Sequence, residues 1–105
     1  KWLWEKIADY FEIDFEGFEN EIKPLEKELQ NDQKIWENIA EKYDLKENSL
    51  SRIASAWHTD LDLGRPIEVM TDMTKSRKLG FTNFQSSLES FTDLFDKLKE
   101  EKIIP

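Results

Sequence analysis

Four stretches of this chain space their apolar side chains as one face of an α-helix, and that period limits the fold more than any other feature. The first covers residues 2–11, with Leu3, Trp4, Ile7, Ala8, Tyr10 and Phe11 on one side and Glu5, Lys6 and Asp9 on the other. The second covers about 33–43 and carries Ile35, Trp36, Ile39, Ala40 and Tyr43. A third, capped by Asn48 or Ser49, carries Leu50, Ile53, Ala54 and Trp57. The fourth carries Leu88, Phe91, Leu94, Phe95 and Leu98 behind Ser86-Ser87-Leu88-Glu89, a capping-box pattern, and runs to about Glu101. Pro24 suits the start of a short helix to about Gln30, and Asn31-Asp32 suits the cap of the second stripe. Asp72 or Thr74 opens a short basic helix that Gly80 stops in the left-handed conformation.

Alternation of apolar and polar residues is confined to 12–19, a short strand or extended linker, and to 67–71, the better strand candidate. After His58 the run Thr-Asp-Leu-Asp-Leu-Gly-Arg-Pro reads as a loop. The expected fold class is therefore mainly α with one or two short β-strands (α+β), in one domain spanning 1–105. Trp4 to Phe11 and Trp36 to Tyr43 match each other at an offset of 32 residues. Two copies are too few for a solenoid, so two helices solving one packing problem is the better reading. Lys1-Trp2-Leu3-Trp4 starts inside an amphipathic pattern with no cap ahead of it, as expected of a piece of a longer chain.

With 15 basic and 23 acidic residues the net charge is −8, which argues against nucleic acid and anionic membrane surfaces as partners. Cysteine is absent, so disulfides and thiol catalysis are excluded, and a cytoplasmic location is expected. No apolar run approaches the ~20 residues of a transmembrane helix. Glycine occurs only at 17, 64 and 80, which excludes both a dinucleotide-binding loop and a P-loop, since each needs closely spaced glycines to bring backbone amides to phosphate. A Tyr four residues ahead of a Lys is also missing: Tyr10 is followed at that spacing by Asp14 and Tyr43 by Glu47.

His58, Asp60 and Asp62 could offer an imidazole and two carboxylates to a metal, but such a short set is more often a helix-end histidine with turn and capping aspartates. Asp14 with Glu16, or Glu19 with Glu21, could pair as glycosidase carboxylates, yet nothing separates them from surface charge. Lys75, Arg77 and Lys78 could grip a phosphate, though a solvated helix face is the commoner meaning. Trp57, ahead of a Gly/Pro-bounded loop, is placed equally well for a pocket wall or for plain core.

Five features in register carry a resemblance: Trp2-Leu3-Trp4; Ile35-Trp36-Glu37-Asn38-Ile39-Ala40-Glu41-Lys42-Tyr43-Asp44-Leu45; Trp57 ahead of Asp60 and Gly64; Asp72-Met73-Thr74-Lys75-Ser76-Arg77 with Leu79-Gly80-Phe81; and Ile103-Ile104-Pro105. On these the chain resembles the C-terminal part of extended short-chain dehydrogenase/reductases of the progesterone 5β-reductase and iridoid synthase-like group, including fungal and bacterial members described as NAD-dependent epimerase/dehydratases. The resemblance implies a helical cap over the substrate of a reductase whose absent Rossmann domain binds NADP(H) and supplies the catalytic Tyr and Lys. Such enzymes reduce activated carbon–carbon double bonds or carbonyls of small molecules by hydride transfer. This chain would bind no cofactor and no metal itself. In plant members the region of Trp57 to Thr59 helps line the pocket. The sequence departs from theirs across Trp57 to Pro66, so only a location carries over: Trp57, His58, Leu61 and Leu63 as substrate wall. The cap reading also expects self-association through exposed apolar surface. The competing expectation is a free-standing acidic helical module that holds a partner helix or peptide.

Overall fold

The two matching segments end in the same way. In the computed structural model of the chain, which describes residues 2–17, 23–67 and 69–105, Trp2–Tyr10 forms helix α1 and Gln33–Lys42 forms helix α3. Their alanines at the matching position, Ala8 and Ala40, are the buried apolar residues of the described chain. Each helix closes with a left-handed residue, Glu12 at φ 55° and Asp44 at φ 53°. Ile13 N–H then donates to the Ala8 carbonyl at 3.0 Å, and Leu45 N–H to the Ala40 carbonyl at 2.8 Å. This six-residue closure satisfies carbonyls that a helix end otherwise leaves without a donor.

Between them lie α2, Leu25–Glu28, and a 3₁₀ turn, Leu29–Asn31; after them come α4, Leu50–Ile53, α5, Ala56–Leu63, α6, Thr74–Lys78, and α7, Ser87–Glu100. All regular structure among the described residues is helical.

α7 packs on α1. Its start is the expected capping box: Glu89 N–H donates to Ser86 Oγ at 3.2 Å, and Ser86 N–H to Glu89 Oε2 at 3.1 Å. Accepting the Ser86 donors holds the Glu89 carboxyl below its usual range. The seam is aromatic, with Phe95 4.9 Å from the Phe11 ring centre and 5.4 Å from Tyr10. Each such pair adds roughly 0.5–1.5 kcal/mol beyond the area it buries. Lys99 Nζ lies 4.6 Å from the centre of the Tyr10 ring, and Tyr10 donates its hydroxyl proton to Asp96 at 2.5 Å. That hydrogen bond, aided by desolvation and by the carboxylate's charge, pushes the Tyr10 phenol up to about 12. The tail after α7 turns at Lys102 (φ 56°) and docks on the end of α3, where Lys46 N–H donates to the Lys102 carbonyl at 2.9 Å and Lys102 pairs with Asp44. That pairing lowers the Asp44 carboxyl. Ile103 and Ile104 are half-buried there, so the apolar tail docks.

α6 ends as expected at Gly80 (φ 89°), with Phe81 N–H on the Ser76 carbonyl and Gly80 N–H on that of Arg77. At its start Asp72 accepts from Thr74 N–H at 2.8 Å and from the Thr74 hydroxyl, which lowers the Asp72 carboxyl.

The structure corrects five expectations. No strand forms among the described residues; 13–17, 67 and 69–71 lie outside regular structure, and the rest of both candidates (Phe18 and Glu19; Glu68) lies outside the described residues, as do Lys1 and Glu21. A strand needs a neighbour to take its backbone groups, and among the described residues none runs beside these segments. The third helix is two helices: Ala54 adopts an extended backbone (φ −125°, ψ 131°), and the expected loop after His58 is helical to Leu63. Asp32 occupies the N-cap position of α3 without a side-chain cap, because α3 continues from the 3₁₀ turn and Asp32 lacks the extended backbone a capping carboxylate needs. At α4 the cap is Gln33, whose Oε1 accepts from Leu50 N–H at 2.9 Å while its Nε2 donates to the Asn48 carbonyl at 2.9 Å. Trp36 Nε1 donates to the Glu47 carbonyl beside it, so α3 holds α4 through polar contacts rather than a deep core.

The result is an opened-out arrangement. Its accessible surface is 9440 Å², against the roughly 6,200 Å² expected of a folded monomer of this mass. Its radius of gyration is 16.9 Å, against about 13 Å for a compact domain of this length.

Candidate functional site

α5 carries every residue expected to line a substrate, and the fold divides them between two sides. α2 begins at Leu25 behind Pro24, whose ring offers no acceptor for the first helical N–H groups. Asp60 supplies one from 35 residues away: its carboxylate accepts from Leu25 N–H at 2.8 Å and from Glu26 N–H at 3.0 Å. This contact pins α5 across the start of α2 and turns Thr59, Asp60 and Leu63 towards it.

There a cleft of about 850 Å³ opens. Trp4, Pro24, Leu25, Leu63 and Pro66 give it apolar walls, and Lys23 and Arg65 border it. Arg65 Nη2 pairs with Asp62 at 2.6 Å on the exposed side of α5. Gly64 ends the helix where a Cβ would sit 2.6 Å from the Asp60 carbonyl oxygen, so close approach, rather than any phosphate cradle, explains that glycine.

Of the four expected wall residues, Leu63 lines the cleft. Trp57 and Leu61, four apart, share the other side of α5 and are 52% and 55% exposed. Trp57 therefore sits in the first turn of α5, not at a helix C-terminus, and it is not core. The His58 ring meets the Trp57 indole edge-on at 4.2 Å, and its Nδ1 lies 2.5 Å from Ser55 Oγ. His58 is thus at a helix start, which removes the favourable dipole expected of it. With Asp60 spent on α2 and Asp62 on Arg65, no three His, Asp or Glu residues among those described gather as metal ligands. Lys75, Arg77 and Lys78 are exposed on α6. Among the described residues no helix is long and apolar enough to cross a membrane.

Trp4, Pro24, Leu25, Arg65 and Pro66 were invisible to local reading because α2 meets α5 across more than thirty residues. One signal was available. A helix opened by proline with no Ser, Thr, Asp or Asn at its cap needs an acceptor from elsewhere, and Asp60 was a candidate.

No family model matches the chain. Individual proteins do. An (S)-8-oxocitronellyl enol synthase of Catharanthus roseus is 32% identical over 109 residues, covering 100% of this chain and 28% of that protein. A 3-oxo-Delta(4,5)-steroid 5-beta-reductase of Arabidopsis thaliana is 35% identical over 109 residues with the same coverage. The chain matches the C-terminal part of progesterone 5β-reductase and iridoid synthase-like proteins. An uncharacterised protein of Schizosaccharomyces pombe is 36% identical over 74 residues, covering 70% of this chain and 18% of its own length. The chain thus spans less than a third of the relatives it matches. The described fold agrees with the helical architecture that the resemblance implied.

Proposed function

We propose that residues 1–105 form a single helical cap, the C-terminal part of an NAD(P)H-dependent short-chain reductase that acts on enone or carbonyl small molecules, and that this cap is not catalytic alone. The observation that carries the reading is the uncovered apolar surface. Among the described residues the buried apolar side chains are those of Ala8 and Ala40, while Trp2, Trp57, Met70, Leu79 and Phe84 are between 52% and 91% exposed. Apolar surface left uncovered on this scale marks an interface awaiting a neighbour. A free-standing interaction module would instead need a core of its own.

NADP(H) belongs to the proposed whole protein. The residues present here do not fit it: the glycines are isolated, and Gly64 serves its own helix. What this chain contributes is shape. In this reading Trp57 and Leu61, with His58 packed edge-on against Trp57, offer a small substrate one wall, Leu63 serves the opposite side of α5, and together they keep water from a hydride path. A cytoplasmic location accompanies this reading.

The test is turnover. The 105-residue chain neither binds NADPH nor reduces a simple enone such as 2-cyclohexen-1-one. Placed behind a nucleotide-binding region with its glycine loop and Tyr-x-x-x-Lys, as a replacement for the matching stretch of the Arabidopsis reductase, it restores reduction. Tight NADPH binding by the isolated chain would overturn the proposal.

A further inference from the structure

The cleft between α1, α2 and α5 differs in chemistry from the surface that Trp57 and Leu61 present. The Trp4 indole and the rings of Pro24 and Pro66 are stiff, so its concavity does not depend on flexible side chains. Flat apolar walls favour a flat apolar guest. The nearby carboxylates are committed, Asp60 to two backbone N–H groups of α2 and Asp62 to Arg65. The Arg65 guanidinium carries five N–H donors in a planar fork, and its pairing with Asp62 is made through Nη2. Donors remain on the group that borders the cleft, in the geometry that takes a carboxylate.

We propose that this cleft binds a small molecule with an apolar, ring-bearing body and a carboxylate, and that Arg65 is the residue that receives the carboxylate. With a net charge of −8 the chain as a whole repels anions, so selection for one is local to the cleft, whose lining carries Lys23 as well as Arg65; the planar fork of Arg65 is what suits a carboxylate. The proposal rests on the cleft and does not depend on the reductase reading.

The experiment titrates the full 105-residue chain with naphthalene-2-carboxylate and with its uncharged isostere naphthalene-2-carboxamide, followed by amide and indole NMR shifts. The carboxylate binds roughly tenfold tighter than the carboxamide, as expected of a charge-assisted contact, and shifts the Trp4 indole rather than that of Trp57. Arg65→Gln abolishes the difference between the probes. Asp62→Asn, which frees the guanidinium, tightens carboxylate binding. Equal binding of the two probes, binding of neither, or shifts centred on Trp57 overturns the proposal. So does a loss of carboxylate affinity in Asp62→Asn matching that in Arg65→Gln, which would mark the ion pair as structural only.

Discussion

Replacing Asp60 by alanine removes the acceptor that starts α2 and fastens α5 to it. Two N–H groups, at 2.8 and 3.0 Å, lose a charged partner at once. A capping side chain contributes ~0.5–2 kcal/mol, and a negative charge at a helix N-terminus adds ~0.3–1 kcal/mol. Part of this returns as the freed amides hydrate, because α2 is largely exposed. The net loss is therefore about 1–2 kcal/mol, felt locally. Amide hydrogen exchange reads it directly: protection of the Leu25 and Glu26 amides falls by roughly 5–30-fold. Asp60→Asn keeps one acceptor oxygen and loses about half as much in free energy. Asp62→Ala, which breaks an exposed ion pair, changes stability by less than ~1 kcal/mol. Less than a twofold change at Leu25 and Glu26 in Asp60→Ala would refute the assignment of Asp60 as the cap of α2.

Glu12→Gly stabilises the end of α1 by about 0.5–1 kcal/mol, since Glu12 holds a left-handed backbone that glycine adopts freely; Gly80→Ala costs about 1 kcal/mol although a Cβ there meets nothing within 4 Å. Denaturant midpoints check both. Because the folded-state Tyr10 phenol titrates above its ordinary 10.0, its bond to Asp96 contributes fully below pH 10 and is lost as pH rises through about 12. Tyr10→Phe removes that alkaline dependence of the α1–α7 contact in a spectroscopic melt. The carboxyls of Asp44, Asp72 and Glu89 are lowered, so their contributions are fully present above the ordinary carboxylate range and are lost as pH falls below it through the lowered folded-state values. Circular dichroism in acid shows this loss, and Ser86→Ala together with Asp44→Asn diminishes it.

Legibility followed the reach of each interaction. Ser86 and Glu89 meet within one turn, and Gly80 closes α6 on carbonyls three and five residues back, so both were readable as local pattern. The break at Ala54 was not, because Leu50, Ile53, Ala54 and Trp57 keep helical spacing straight through it. Residues 67–71 have the alternation of a strand, but alternation describes two faces and supplies no partner edge. The cleft depends on Asp60 reaching Leu25 and Glu26, a contact that exists only after folding. The candidate wall was located through resemblance; what local pattern could not give is that Leu63 lies on one side of α5 while Trp57 and Leu61 lie on the other.

The account turns on the apolar flank being an interface with the nucleotide-binding part of a reductase. Oxidative footprinting, applied to the isolated chain and to the chain joined behind that part, measures this directly. Met70, 90% exposed, and Phe84, 91% exposed, oxidise readily in the isolated chain, and the account predicts that joining protects both, together with Trp57, by several-fold. Equal oxidation rates in the two proteins would contradict it.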